Sequence, residues 1–566
     1  MKPVPLTPAA YSKLEPSSLA AAVVLALYLA LCLNAPELVE RGFALTEAGA
    51  RGGTWATTLA AEAGLVLAVC LLLTVTLSCL GRAVLLVSGA VLTLLSVAAS
   101  YYMVRYDVVI GYGIVQAVLA SDQALSREKL GYELVVWLLL LGVAPLLAWW
   151  RFAVRHKPGH QSLGRWRSWL HRLVLLGAAL GLAFASDAAV RHQAEQHHGL
   201  KPAVSPSGLV AHRYVPTNWL SGLSMTAANR ATGAMREHRL SDPAEHYTYQ
   251  ERTPLDEVTV VLVIGETTRH DHLGLLGYER DTTPRLSKEP SLVAFRAESC
   301  DTSTRLSLAC MFVRPEGVVP GQGFAPDRID EQKVFSVFRE LGFTTELFAM
   351  QSEVGFYHRV GPDYYKMREL IVADAQSGHT QPLDGLLLPE VENSLRRHPD
   401  GRHMIVLHLK GSHFLYSQRH PRSFARWTPE CLNPNQACSR EQLINSYDNS
   451  VLYGDYVVAQ MLDHLRDRKA LVVFTSDHGE SIGDGLHFHG TPRAIAPPEQ
   501  RRVPLIFWAS DPMLSDPVHR SAFDRLRERA ASGDTAKHQQ LFASMLGCLS
   551  VASKDGGITP SDNLCH

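Results

Sequence analysis

Five long apolar runs open the chain and limit what it can fold into: Ser18–Ala35, Thr57–Cys79, Ala83–Val104, Leu134–Trp150 and Leu173–Ala189. Each approaches the roughly 20 residues that an α-helix needs to cross a bilayer. Buried core helices would account for one such run, but five nearly uncharged runs in succession predict a membrane domain. The segment Arg151–Arg172, "RFAVRHKPGHQSLGRWRSWLHR", is basic with no acidic residue, which assigns it to the cytoplasmic side. The connections Pro36–Ala56 and Arg105–Glu133 carry mixed charge and fit the outer side. No cleavage pattern precedes the first run, so it is expected to be retained. Five spans with a cytoplasmic N-terminus put everything after Asp187 outside. That predicts a multi-pass protein of a bacterial inner membrane with its soluble part in the periplasm.

At 566 residues the chain is too long for one compact domain. We divide it into a transmembrane domain (residues 1–187), an irregular amphipathic linker with helices lying on the membrane surface (188–251) and a soluble domain (252–566). The net charge of -1 gives no sign of a nucleic-acid partner. Cys300, Cys310, Cys431, Cys438, Cys548 and Cys565 all fall in the soluble part. An even number in an oxidising compartment suggests disulfides, although six cysteines allow fifteen pairings. Close neighbours are the natural pairs: Cys300–Cys310, Cys431–Cys438 and Cys548–Cys565. A zinc–thiolate site is the rival, and the spacings lack its tight paired pattern.

From Glu257 the pattern becomes that of a globular domain. "VTVVLVIGE" (Val258–Glu266), "HMIVLHLKGSH" (His403–His413) and "ALVVFTSDHGES" (Ala470–Ser481) are apolar on both faces, as buried parallel strands are. Helical patterns lie between them, so the fold class expected is α/β, doubly wound. In such sheets the ligand crevice lies beyond the carboxyl ends of the strands. Glu266, His413 and the pair Asp477–His478 each follow a strand.

A carboxylate and an imidazole at a strand end can bind a divalent metal, with Glu266 supplying a further oxygen. That ligand set suits zinc, and carboxylate-rich sites also admit manganese or magnesium. A structural Asp–His pair is the plainer reading. The stretch "SCDTSTRLSLACMF" (Ser299–Phe312) then places Thr304 between two cysteines. A threonine hydroxyl needs activation to act as a nucleophile, and a zinc ion can supply it. With Glu266, Asp477 and His478, Thr304 completes a four-ligand set. Alternatively, Thr304 caps a helix beginning near Arg305.

These residues resemble the membrane-bound lipopolysaccharide phosphoethanolamine transferases of the alkaline phosphatase/sulfatase superfamily. The matching pieces are "VIGETTRHDHLGLLGYERDTTPRLS", "SCDTSTRLSLACMF", "LHLKGSHF", "INSYDNSVLYGDY" and "SDHGESIGDGLHFHGTPR". The resemblance implies an alkaline-phosphatase/sulfatase-like catalytic domain after five transmembrane helices. It is fullest to the branch that modifies a Kdo sugar, through "SCDTSTRLSLACMFVR", "AMQSEVGFYHRV", "KGSHFLYSQRHPRSFARWTPEC" and "HGTPRAIAPPEQRRVP". The branch acting on lipid A phosphates usually has a small residue after the nucleophile, a glycine after the first cysteine and an extra cysteine pair near "AMQSEV". This chain has Arg305 and Asp301, and no cysteine there. The lysine and asparagine contacts of that branch are therefore not carried over to Gln351–Tyr357.

The resemblance implies that Thr304 is the nucleophile and shares a zinc ion with Glu266, Asp477 and His478. His413 and His489 match the phosphate-binding or proton-transferring histidines, which could also hold a second metal or only pack. Calcium dependence is left open. The implied donor is phosphatidylethanolamine, which releases diacylglycerol through a phosphoethanolamine–threonine intermediate. The implied acceptor is Kdo2-lipid A or lipopolysaccharide, with a lipid A phosphate as the alternative, and a monomer is expected. Arg305 and Lys410 are candidates to orient the Kdo carboxylate, which an arginine can hold bidentately.

Three rivals are weighed. "GESIG" (Gly479–Gly483) fits a hydrolase elbow with Ser481 as nucleophile. A sulfatase would want Cys or Ser in a C/S-x-P-x-R context, and none stands at the nucleophile position. A non-catalytic membrane sensor would show no turnover. "DTTP" (Asp281–Pro284) and "DNS" (Asp448–Ser450) read as turn and capping elements, and His487 receives no role.

Overall fold

The computed structural model describes residues 16–47, 54–120, 131–155, 165–198, 205–236, 240–367, 369–371, 383–432, 438–483 and 487–566. By contact the chain forms two units: Met1–Gly111 with Gly131–Ser224, and Tyr112–Leu130 with Met225–His566.

The first unit is helical. Trp55–Cys79, Arg82–Tyr106, Tyr132–Ala153 and Trp166–Glu195 are each long and apolar enough to span a bilayer. Ser18–Cys32 and Ala35–Glu47, bent by 42°, make a fifth if the pair counts as one span. The region read as a linker with helices is largely helical, as expected: the helix of the last span runs on to His198, and Pro206–Arg213 and Thr217–Arg236 follow. Its first part is held in the helical unit by polar bonds. Tyr214 donates to Glu62 at 2.6 Å, and Asn34 accepts from Val215 N at 2.9 Å and donates to Val215 O at 2.7 Å. The contact boundary therefore falls at Ser224, and Tyr112–Leu130 joins the second unit.

The second unit is built on one eight-stranded sheet. Its strands are β1 (Val258–Gly265), β2 (Leu292–Glu298), β3 (Thr344–Ala349), β4 (Tyr364–Lys366), β5 (His403–His408), β6 (Lys469–Ser476), β7 (Arg502–Ala509) and β8 (Ala536–Lys537), in the spatial order β8-β2-β7-β6-β1-β5-β3-β4. The run from β6 to β4 is parallel, whereas β7 is antiparallel to both β6 and β2. The three predicted strands are therefore neighbours at the centre of a mixed sheet. Their alternation sorts side chains to two cores. Val258, Val260, Leu262 and Ile264 face one, and Val261 and Val263 face the other. Two buried faces are why these strands lack a polar face.

Four helices matter for the site: α1 (Tyr112–Ala120), α2 (Thr304–Cys310), α3 (Val354–Val360) and α4 (Arg440–Asp463). Ser439 starts α4 with a capping box closed by Gln442. The nearest-neighbour disulfides Cys300–Cys310, Cys431–Cys438 and Cys548–Cys565 all form.

Candidate active site

Glu266 follows β1 directly, and Asp477 and His478 follow β6. These strands are paired in parallel, so the three side chains emerge together at the carboxyl edge of the sheet. All three are fully buried. The turn after β5 closes the floor: Ser412 N donates to Glu266 O at 3.0 Å. Gly411 (φ 50°) allows this approach, since a Cβ there would lie 2.8 Å from the Glu266 backbone. Thr267, β-branched, is held at φ 52°, an uncommon conformation that its N–H contact to Asp477 Oδ1 (3.2 Å) helps to maintain.

Thr304 is the first residue of α2, and Ser303 occupies the cap position. Its hydroxyl therefore points into the site: Oγ1 lies 3.3 Å from Glu266 Oε2 and 3.3 Å from His478 Nε2. His478 Nδ1 must donate to the Gly479 carbonyl (2.8 Å), so the neutral ring presents a bare Nε2 to the cluster. That lone pair faces Asp477 Oδ2 at 3.2 Å and Glu266 Oε1 at 3.5 Å. Neither of these buried oxygens accepts a hydrogen bond.

Such a convergence of acceptors is unfavourable unless a cation sits among them. A tetrahedral zinc site, with bonds of about 2 Å, spaces its ligand atoms by about 3.3 Å. The observed spacings match that figure, so the residues fit zinc. Burial, with added repulsion from Asp477, pushes the Glu266 carboxyl well up. Burial also raises Asp477 and lowers the His478 imidazole.

His489 lies beside this cluster, its ring 4.1 Å from that of His478 and 6.1 Å from that of His413. Its Nδ1 bonds to Glu480 Oε2 at 2.8 Å, while Tyr416 donates to Glu480 Oε1 at 2.9 Å. His413 is buried at the same edge. The loop carrying Thr304 is fastened to the loop carrying His489. Gly490 N donates to Thr302 O at 2.7 Å, Thr302 Oγ1 to Thr491 O at 2.6 Å, and Arg493 to Cys300 O at 3.1 Å.

The two cationic candidates separate. Arg305 is half-exposed, its Nε 3.8 Å from Glu353 Oε2. Lys410 is buried, and its amine lies close enough to Glu266 to oppose the rise in that carboxyl. Ser481 is also buried, its hydroxyl accepts from Gln500 at 3.2 Å, and among the described residues no imidazole bonds to it, as the hydrolase reading would require. Thr282 and Thr283 accept the N–H groups of Gly274 and Leu275, as turn residues do. Asp448 departs from the capping reading: it is buried against His272, Tyr278 and Arg280. Two contributors escaped the sequence reading. Glu480 lies within "SDHGESIGDGLHFHGTPR" and Gln351, which donates to Glu266 Oε2, within "AMQSEVGFYHRV", but neither motif singled out that side chain.

The description Sulfatase matches residues 258–551, more than half of the chain, and the description Phosphoethanolamine transferase EptA/EptB matches residues 65–212. A "Kdo(2)-lipid A phosphoethanolamine 7''-transferase" of Escherichia coli K12 is 42% identical over 493 residues, 87% of each chain. The chain belongs to the phosphoethanolamine transferase family. Another phosphoethanolamine transferase, EptA of Salmonella typhimurium, is 30% identical over 82% of each chain. The solved integral membrane phosphoethanolamine transferase EptA of Neisseria meningitidis shares the fold, with a TM-score of 0.78 over 96% of this chain and 98% of that one at 24% identity.

Proposed function

We propose that the protein moves phosphoethanolamine from phosphatidylethanolamine to a Kdo sugar of Kdo2-lipid A, through a covalent adduct on Thr304, at the periplasmic face of the inner membrane. The observation that carries this reading is the convergence of Thr304 Oγ1 with Glu266 and His478 at 3.3 Å, beside two donorless carboxylate oxygens. Glu266, Asp477, His478 and Thr304 would hold a zinc ion. When bound, the ion supplies the positive charge that favours ionisation of the Thr304 hydroxyl and stabilises charge on the phosphoryl oxygens.

In the first half-reaction Thr304 Oγ1, entering as the alkoxide with its proton already lost to solvent, bonds to phosphorus, and the bond from phosphorus to the diacylglycerol oxygen breaks. That oxygen takes a proton from His489 Nε2, because Nδ1–H is committed to Glu480, which also pairs with the imidazolium. In the second half a Kdo hydroxyl gives its proton back to His489 Nε2 and attacks phosphorus, and Thr304 leaves. His413 supports the phosphoryl group. Arg305, half-exposed beside the nucleophile, suits the acceptor carboxylate better than buried Lys410. Both substrates are lipids, so anchoring the domain in the same bilayer raises their effective concentration. The higher identity to the Kdo-directed relatives than to EptA favours the sugar over a lipid A phosphate.

The test is mass spectrometry of lipopolysaccharide from cells with and without the protein, fragmented to locate the added group. Phosphoethanolamine on Kdo supports the proposal; on a lipid A phosphate it moves the acceptor, and no added group fits the sensor.

A further inference from the structure

We propose that Glu353 receives the ethanolamine ammonium of the donor and thereby sets headgroup choice, an inference that rests on the transfer chemistry proposed above. Two independent links bring the segment Gln351–Glu353 to the nucleophile. Gln351 Nε2 donates to Glu266 Oε2, the same oxygen that Thr304 Oγ1 approaches at 3.3 Å. Two residues further on, Glu353 Oε2 lies 3.8 Å from Arg305 Nε, on the side chain next to Thr304.

The Glu353 carboxylate is poorly compensated where it stands. Its side chain is 23% exposed, and Arg305, its one charged partner among the described residues, sits beyond hydrogen-bond range. Burial pushes the carboxyl up and Arg305 only opposes it. A primary ammonium is small enough to approach closely and donate directly.

The other acids around Thr304 are already engaged. Glu266 and Asp477 belong to the metal-ready cluster, and Glu480 holds His489 and Tyr416. Asp301 turns its Oδ1 to the Thr302 N–H at 2.7 Å. Among the described residues Glu353 is the remaining acid linked to the nucleophile through Arg305. An ammonium there also frees Arg305 to meet an anion on the acceptor, so the two side chains sort the opposite charges of the two substrates.

The experiment uses the full-length protein in vesicles of phosphatidylethanolamine or of phosphatidylpropanol, whose headgroup ends in a methyl. Without acceptor, diacylglycerol release gives the preference for one donor over the other. The parent protein should prefer phosphatidylethanolamine by about tenfold or more, the scale of a charge-assisted hydrogen bond. Glu353→Gln should bring the ratio close to one, mainly by raising the donor concentration that half-saturates this single turnover, while Arg305→Met, which removes the competing cation, does not lower it. The double variant Arg305→Met with Glu353→Gln leaves no charge unpaired and should also lose the preference, which covers the case in which Glu353→Gln alone folds poorly. An undiminished preference in either Glu353 variant overturns the assignment. Failure of the parent protein to release diacylglycerol would instead overturn the transferase reading.

Discussion

Gly490 donates its backbone N–H to the carbonyl of Thr302 at 2.7 Å, and this bond registers two loops that are far apart in the chain. One carries Thr304 and the other carries His489. In the proposed reaction these are the nucleophile and the proton carrier, which must share a phosphorus to within fractions of an ångström, so such cross-loop bonds should matter more for rate than for stability.

The Cys300–Cys310 bridge spans ten positions and closes the loop and helix that present Thr304. Opening a ring of this size costs about 3 kcal/mol by loop entropy. Replacing both cysteines by alanine should lower the melting temperature and reduce kcat more than it changes KM for the donor. Calorimetry and steady-state kinetics check both effects.

The proposed zinc site carries a specific pH signature for the metal-free protein. In the metal-free protein burial raises Glu266 and Asp477 above their unfolded values. A raised carboxyl stabilises the fold while it stays protonated, and that contribution is lost as pH rises through its folded value. Chelated protein should therefore lose stability from about pH 4, the ordinary carboxylate range, towards neutrality. Zinc should reverse the loss, binding more tightly as pH rises because protons no longer compete. Glu266→Gln or Asp477→Asn should flatten the pH trend and weaken zinc binding, as melting curves and elemental analysis would show.

In the proposed mechanism Glu480 acts through His489, which it contacts at 2.8 Å. Glu480→Gln keeps the shape but removes the charge that pairs with the imidazolium. kcat should fall by roughly 100-fold, in line with loss of assisted proton transfer. The limb of the pH–kcat profile that His489 sets, the alkaline one where donor cleavage limits, should shift down while KM changes little. A uniform loss with an unmoved profile would mark Glu480 as structural.

Lys333 is buried, and burial pushes its amine far below the usual lysine range. Its Nζ donates to the carbonyls of Ala309 (2.7 Å) and Met311 (3.0 Å), at the C-terminal end of α2. Lys333→Met leaves both acceptors without that donor and should cost about 1–3 kcal/mol in chemical denaturation.

The central sheet was legible because β1, β5 and β6 are buried on both faces and therefore read as unbroken apolar runs. β2 and β7 escaped because "LVAFRAE" alternates and "RVPLIFWA" carries a proline, so neither resembles a central parallel strand. The four-donor cluster could be read because each member follows a strand end or stands in a cysteine-framed loop. Gln351, Glu353 and Glu480 stand inside quoted motifs, but the contacts that bring them beside the site are tertiary and no spacing encodes them. The grouping of Tyr112–Leu130 with the catalytic unit is likewise a matter of contact: Gly113 packs against Ser303, where an added Cβ would lie 3.1 Å from the hydroxyl oxygen.

The central claim is that the Thr304 oxygen carries the phosphoethanolamine group. Its most direct test is peptide mass spectrometry of the full-length protein incubated with phosphatidylethanolamine vesicles and no acceptor. The account predicts one added phosphoethanolamine on the peptide containing Thr304, absent from Thr304→Ala and released when Kdo2-lipid A is supplied. A Thr304→Ala protein that still transfers the group at the parent rate would contradict it.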